Sequence, residues 1–320
     1  MRRKSKKKRP LPPAELSNLV GWMGVSVLVP EEWSPVTVSA EGANGYLKIV
    51  SPDSRYLEIK WEQTKGAVSV PDALERYRKK LAKTARKGRQ EFVWRLRPRG
   101  VSGLRPKSQA PISYAWEADR EARGAIWHCG QSNRMVIAEL VGDREDDLSL
   151  AAPILRSIVE HSEAGWNEWG MDGLRVAIPE DYRLEKHVRM SGNLRLDFAR
   201  GGRELQIERW GLAGIVLRDT PSEDWYCARE DKTLRRLVYQ LEETTVNGHP
   251  ALRLQGRDRL PAAIGRTLRR ASRLTWPAYY RRAWIWSCPA SNRIFAISAA
   301  QRRRDTTLAE LMERFRCHHD

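Results

Sequence analysis

The chain has 320 residues, of which 41% are hydrophobic, and carries a formal net charge of +17. The apolar content is enough for packed cores and excludes a wholly disordered chain, and the length suffices for two domains. No apolar run is long enough to span a bilayer, and no apolar signal segment follows the basic first residues. We therefore expect a cytoplasmic protein that contacts no membrane and attracts polyanions.

Blocks of similar sequence recur in the same order in the two halves of the chain. Residues 24–33 match 173–182, 45–49 match 192–196, 55–59 match 203–207, and 127–134 match 286–293. Collinear matches of this kind predict an internal duplication. The expected organisation is a basic tail (1–17), a first repeat (18–162), a linker (163–172) and a second repeat (173–320) with a basic insertion (257–282).

Each half opens with alternating strands joined by turn residues, which predict a hairpin. Apolar residues at helical spacing predict a helix after each hairpin and another at the end of each half. The residues concerned are Leu74, Tyr77, Leu81 and Ala85; Leu234, Val238 and Leu241; Ile154, Leu155, Ile158 and Val159; and Leu308, Leu311, Met312 and Phe315. The predicted fold class is α+β, with two tandem homologous domains, each an antiparallel sheet packed against helices. This element order, with strands that end in Pro and an acidic residue, resembles the Mog1/PsbP-like α/β sandwich.

Positive charge is concentrated in four segments: the tail, the first-half helix and its exit, the loop that follows, and the insertion. The insertion also carries aromatic side chains. The predicted RNA-binding residues are Arg2, Arg3, Lys4, Lys6, Lys7, Lys8, Arg9, Lys79, Lys80, Lys83, Arg86, Lys87, Arg89, Arg97, Arg99, Arg105, Arg266, Arg269, Arg270, Arg273, Trp276, Tyr279, Tyr280, Arg281 and Arg282.

Arginine and aromatic residues together suit RNA, because guanidinium groups pair with phosphate oxygens and rings stack on unpaired bases. For one segment alone, a solvated surface with inward-packed aromatics is an equally good interpretation. Four such segments with hardly any acidic residues between them favour RNA binding.

The sequence predicts no catalytic site, no cofactor, no small-molecule substrate and no metal site. Phosphate-binding, dinucleotide-binding and hydrolase motifs are absent, and none of the four cysteines lies in a CxxC pair. Ser132 and Asn133 are interpreted as turn residues and Cys129 as a core thiol. Cys317, His318 and His319 could hold a metal ion, but no fourth ligand is evident from the sequence.

The duplicated and basic organisation resembles the archaeal ribosome-hibernation factors called dual ribosomal subunit inhibitors. That resemblance implies a protein without enzyme activity that binds ribosomal RNA on ribosomal subunits and blocks translation. Two alternatives stay open at this point: a protein-interaction module of the Mog1 kind, and a DNA- or chromatin-binding protein.

Overall fold

The computed structural model describes residues 15–66, 68–99, 101, 111–162, 164–259, 280–301 and 305–318. Contacts between Cα atoms divide the chain into two units, residues 1–162 and 163–320. Antiparallel sheet dominates the described part of both units.

The described part of unit 1 consists of a hairpin, a seven-stranded antiparallel sheet and two helices. The sheet order is β3-β4-β5-β9-β8-β7-β6, and β1 pairs with β2. The strands are β1 Leu16–Trp22, β2 Val25–Pro30, β3 Ser34–Glu41, β4 Asn44–Val50, β5 Tyr56–Gln63, β6 Val93–Leu96, β7 Ile112–Glu117, β8 Arg120–Cys129 and β9 Arg134–Asp143, and the helices are α1 Val70–Lys87 and α2 Ala151–Arg156.

Unit 2 also has a hairpin, β10–β11, and a seven-stranded antiparallel sheet, with the order β12-β13-β14-β18-β17-β16-β15. Its strands are β10 Trp166–Met171, β11 Leu174–Pro179, β12 Arg183–Met190, β13 Asn193–Arg200, β14 Arg203–Gly211, β15 Leu237–Val246, β16 His249–Asp258, β17 Tyr280–Cys288 and β18 Arg293–Gln301. Its helices in the described residues are α3 Ala213–Val216, α4 Ser222–Arg229, α5 Asp231–Leu234 and α6 Thr307–Glu313.

The two seven-stranded sheets have the same strand order, position for position. The residue pairs that matched in the sequence occupy corresponding places in them. Cys129 ends β8 as Cys288 ends β17, and Asn133 and Asn292 each adopt a positive φ, 54° and 50°, in the turn that follows. Arg134 and Arg293 then begin β9 and β18.

The helices cover one face of each sheet only in part. In unit 1, Leu74 of α1 packs on Tyr114 and Ile126. In unit 2, Tyr226 of α4 and Leu234 of α5 pack in a cluster with residues of β14, β16, β17 and β18. Among the described residues the helices are few and most of them are short, so this part of the fold is predominantly antiparallel sheet. The sequence had predicted a more even balance of sheet and helices.

The last segment of each unit returns to the hairpin at its beginning. The backbone N–H of Ser26 in β2 donates to Val159 O at 2.8 Å, and the N–H of Val159 donates back at 2.9 Å. In unit 2 the N–H of Arg316 donates to Arg175 O of β11 at 2.9 Å. Each unit is thereby closed by a backbone bridge between its two ends.

The helix predicted around Leu234, Val238 and Leu241 is wrong beyond Leu234, because residues 237–246 form strand β15. The adjacent turn explains this result. Asn247 and Gly248 both adopt positive φ values, 49° and 76°. An Asn-Gly pair in this conformation favours a tight hairpin, which pairs β15 with β16 along their whole length.

Two expected boundaries also differ from the structure. The segment 163–172, expected as a linker, contains strand β10, and the segment 1–17, expected as a tail, contains the first residues of β1. Helix α2 ends at Arg156, so Ile158 and Val159 lie beyond it in the closing segment. The backbone bridge to β2 competes there with continuation of the helix.

Candidate nucleic-acid interface

Helix α1 begins and ends as its sequence dictates. The Ser69 hydroxyl accepts a hydrogen bond from the Asp72 backbone N–H at 3.3 Å, which caps the first turn. Asp72 in the first turn and Lys87 in the last match the helix dipole. Leu74 packs on the sheet and Ala85 is buried as well, so the opposite side of the helix is left to solvent. The predicted first-half helix is confirmed.

Four exposed cations follow one line along α1, because positions separated by three or four residues are neighbours on a helix. We call this set the α1 cation row: Arg76, Lys80, Lys83 and Lys87. Within the described part of the chain, none of the four has a carboxylate within ion-pair distance. By contrast, Arg78 and Lys79 pair with Glu75, at 2.7 and 3.8 Å. Among these residues, the row is therefore a line of positive charge without an acidic partner.

A groove runs beside the α1 cation row, between the helix and strands β5 and β9. Its volume is about 570 Å³. Arg76 and Lys80 line it from the helix, and Lys60 and Lys65 line it from the end of β5 and the loop that follows. Glu62 and Asp72 are also at its wall, so cations outnumber acidic groups in the groove.

Beyond the groove, β4 and β5 present two tyrosines on the face of the sheet that carries α1. Tyr46 and Tyr56 are half-buried. The Lys48 ammonium lies 3.7 Å from the centre of the Tyr56 ring, and the Lys60 ammonium lies 5.6 Å from that of Tyr46. The Glu58 carboxylate between them accepts a hydrogen bond from Tyr46 Oη at 2.8 Å. Glu58 also pairs with the Lys48 and Lys60 ammonium groups, at 3.6 and 2.6 Å, so the cations beside the two rings are partly neutralised. Aromatic rings bordered by cations can stack on bases and pair with phosphates when such contacts are exchanged.

A buried carboxylate fixes α1 on the sheet below this surface. Glu139 of β9 accepts hydrogen bonds from Tyr77 Oη at 2.7 Å, from Tyr114 Oη at 3.0 Å and from Trp116 Nε1 at 3.0 Å. Gly124 lies opposite Glu139 and leaves room for the Tyr114 ring, since a Cβ there would come within 2.7 Å of it. Glu139 is not among the residues that line the groove, which argues for an anchoring role rather than acid–base chemistry.

Burial raises the pKa of Glu139, although the donated hydrogen bonds oppose the shift. The folded protein therefore keeps this proton to a higher pH than the unfolded chain does. The stability that Glu139 contributes is fully present below its ordinary pKa of about 4.5 and is lost as the pH rises through the raised value. We expect a Glu139→Gln variant, which stays neutral, to gain stability relative to the wild type as the pH rises from about 4.5 through the raised pKa of Glu139. Urea unfolding across this range measures the difference.

Asp53 provides a control, because its pKa is shifted in the opposite direction from that of Glu139. A hydrogen bond from the Arg55 side chain lowers the pKa of Asp53. An Asp53→Asn variant should therefore lose stability relative to the wild type as the pH rises from that lowered value to the ordinary 3.8, so the urea series for this variant extends below pH 3.8. If the difference between the Glu139→Gln variant and the wild type did not change with pH, the proposed titration of Glu139 would be wrong.

The other predicted RNA-binding residues divide into three groups. Arg86, Arg89, Arg97 and Arg99 are exposed at or after the end of α1. Tyr280, Arg281 and Arg282 are half-buried at the start of β17, and Arg281 lies 3.5 Å from Glu204, so the structure does not present them as an open cationic surface. Several predictions lie outside the described residues: Arg2, Arg3, Lys4, Lys6, Lys7, Lys8, Arg9, Arg105, Arg266, Arg269, Arg270, Arg273, Trp276 and Tyr279.

The sequence interpretation missed Tyr46 and Tyr56. The signal was present, because β4 and β5 alternate buried aliphatic residues with Tyr46, Lys48, Tyr56 and Lys60. An alternating strand places such residues together on one face.

Two groups of side chains in the described part of the chain offer ligand atoms that a metal ion could share. One consists of His249, Cys288, Cys317 and His318, and the other of Cys129, Glu160 and His161. The first group belongs to unit 2 and the second to unit 1. The first places His249 and Cys288 beside Cys317 and His318, which ligand spacing in the sequence did not show.

Comparisons with known proteins do not identify a family or a function for the chain. No protein family and no curated protein matches the chain. Among solved structures, the immunity protein TplEi of a T6SS from Pseudomonas aeruginosa, in complex with "L" peptide, is 8% identical over 95% of this chain and 99% of its own, with a TM-score of 0.32. Its apo structure is 9% identical over 93% and 94% of the two chains, again with a TM-score of 0.32. This likeness is too low to establish a shared fold or function.

None of the helices in the described residues combines the length and the apolar character that crossing a membrane requires.

Proposed function

We propose that the protein binds RNA through unit 1. The observation that supports this proposal best is the α1 cation row, whose four cations have no acidic partner among the described residues and border a cationic groove. Such a row can neutralise consecutive phosphates of a polyanion, and the counterions released on binding supply most of the affinity.

The tyrosines of β4 and β5 favour single-stranded RNA over duplex nucleic acid. Tyr46 and Tyr56 can stack only on bases that are not already stacked within a double helix. Lys48 and Lys60 lie over the tyrosine rings and pair with Glu58, at 3.6 and 2.6 Å, and they would exchange these contacts for the phosphates that flank a stacked base. The proposed path of the RNA thus follows α1, crosses the groove and continues over the open part of the sheet.

Ribosomal RNA is the proposed target, and inhibition of translation without any enzyme activity is the proposed consequence. The basic character of the whole chain, which steers it to a large polyanion, supports this step. We also propose that the two units arose by duplication, for which the common strand order is the support. Two such units can bind one long surface with avidity beyond that of either.

The experiment that tests the proposal is a fluorescence titration of labelled single-stranded RNA with the full chain at increasing salt. We expect binding whose affinity falls steeply with salt, by roughly 0.7 units of log K per unit of log salt for each phosphate contact. Single-stranded RNA should compete better than duplex DNA of the same length. The protein should also sediment with ribosomal subunits at low salt, and an excess should inhibit a translation extract.

Other outcomes would favour the alternatives. Stronger competition by duplex DNA would support a DNA-binding protein. Binding that did not depend on salt would contradict the phosphate contacts and support a protein-interaction module. Salt-dependent RNA binding with undiminished translation would retain RNA binding and overturn the inhibitory role.

A further inference from the structure

Unit 2 gathers two thiols and two imidazoles from three separate chain segments. His249 begins β16, Cys288 ends β17, and Cys317 and His318 follow α6. The register of β16 and β17 pairs Ala251 with Trp286, and its continuation brings His249 opposite Cys288. The backbone bridge from Arg316 to β11 then positions Cys317 and His318. We call these four residues the unit 2 Cys/His cluster.

The ligand atoms of the cluster are close enough to share one ion. All of them lie within 4.8 Å of one another. His318 Nδ1 is 3.3 Å from Cys288 Sγ and 3.2 Å from Cys317 Sγ. In a tetrahedral zinc site, bonds of about 2.3 Å to sulfur and about 2.0 Å to nitrogen separate a sulfur and a nitrogen ligand by about 3.5 Å. The two distances from His318 Nδ1 to the sulfurs are close to this value.

Hydrogen bonding accounts poorly for the cluster. A neutral imidazole nitrogen has one lone pair, yet two sulfurs converge on His318 Nδ1. His249 Nε2 is buried and has no hydrogen-bond partner in the described part of the chain. A buried polar atom without a partner is costly, and a metal ion would satisfy it.

The surroundings also suit a metal ion. Cys288 and Cys317 are buried, and Asn247 Nδ2 lies 3.9 Å from Cys317 Sγ, where it can donate to a thiolate. The charges of two thiolates would balance those of a divalent cation, so that the buried site would be neutral overall. Two sulfur and two nitrogen ligands in a tetrahedron are the donor set that zinc prefers.

We propose that unit 2 binds one Zn²⁺ ion through the unit 2 Cys/His cluster. The protein supplies all four ligands, so the site is a structural one with no open position for a substrate. The ion would connect the sheet of unit 2 to the segment after α6. This inference goes beyond the proposed RNA binding and does not depend on it, because the α1 cation row lies in unit 1.

Unit 1 carries a related but different group at the corresponding place. Cys129 Sγ lies 3.6 Å from His161 Nδ1, and Glu160 occupies the position that corresponds to Cys317. Cys129 therefore provides an internal comparison for Cys288.

The test uses Co²⁺ as a spectroscopic probe of the full-length, reduced, metal-free protein. We expect one equivalent of Co²⁺ to produce the intense visible absorption of a tetrahedral thiolate site, and Zn²⁺ to displace it. The absorption should be lost in Cys288→Ser and Cys317→Ser variants and retained in Cys129→Ser and in Cys227→Ser, whose thiol lies in α4 away from the cluster. Zn²⁺ should raise the urea midpoint of the wild type and of the two control variants only.

Misfolding of the serine variants could also abolish the Co²⁺ absorption, so a further variant retains all the thiols and changes a histidine ligand. His249 is half-buried at the first position of β16, and His249→Gln should leave the fold intact while weakening Co²⁺ binding by at least about 100-fold. Absence of thiolate absorption in the wild type would overturn the proposal. Retention of the absorption in both Cys288→Ser and Cys317→Ser, or its loss in Cys129→Ser alone, would overturn it as well.

Discussion

Replacing the whole α1 cation row with glutamine is expected to weaken binding of single-stranded RNA on the order of 1,000-fold at 0.1 M salt. Each lost phosphate contact removes roughly 0.7 units from the slope of log K against log salt, so the slope should flatten by about 3 units. The four side chains are exposed, and glutamine is a good helix former, so the thermal stability should change little. Fluorescence titrations at several salt concentrations measure both the affinity and the slope.

A matched variant separates the position of the charges from their number. Unit 2 offers exposed cations on β12 and around α5: Arg183, Lys186, Lys232 and Arg236. Their replacement with glutamine removes the same net charge, but the nearby described helices, Ser222–Arg229 and Asp231–Leu234, mix acidic and basic residues and form no comparable row. We expect this variant to lose far less affinity. An equal loss in the two variants would show that only the net charge matters and would contradict a defined interface on α1.

A Trp286→Ala variant should lose about 3–5 kcal/mol of the free energy of unfolding. The Trp286 ring is fully buried, stacks on Phe295 with ring centres 5.4 Å apart, and meets the edge of Phe315 at 4.8 Å. Removal of the indole would leave a cavity between β17, β18 and the segment after α6, which aromatic neighbours fill poorly. Urea unfolding followed by far-ultraviolet circular dichroism measures the loss.

Met190→Ala is the corresponding control, since the Met190 side chain is 66% exposed on β12. Its free energy of unfolding should change by no more than about 0.5 kcal/mol. A loss of similar size in the two variants would contradict the assignment of Trp286 to the core of unit 2.

Patterns within short stretches of sequence predicted the elements whose structure depends mainly on neighbouring residues. The apolar spacing of Leu74, Tyr77 and Leu81 indicated helix α1, and the collinear blocks of sequence led to corresponding positions in two sheets of the same order. The prediction around Val238 and Leu241 failed because their spacing fits a helix, whereas the Asn247-Gly248 turn imposes pairing with β16. Tertiary pairing overrides a weak local periodicity in such a case.

The site could be predicted only in part, for a related reason. A run of cations can be read directly from the sequence, and the apolar spacing of α1 predicted that its cations lie on the exposed side of the helix. The unit 2 Cys/His cluster was not predictable from ligand spacing, because His249, Cys288 and Cys317 are separated by tens of residues and meet only through strand register. Tyr46 and Tyr56 could be predicted as site residues only with knowledge of which part of the sheet the helix leaves open.

The backbone bridges between the two ends of each unit have a consequence for folding during synthesis. The backbone hydrogen bonds of Ser26 can form only after Val159 has left the ribosome, and that of Arg175 only after Arg316 has left it. Contacts so distant in sequence give a high contact order, which slows folding. A nascent unit 1 thus exposes unpaired strand edges until nearly all of its residues are synthesised, so aggregation competes with folding over that interval.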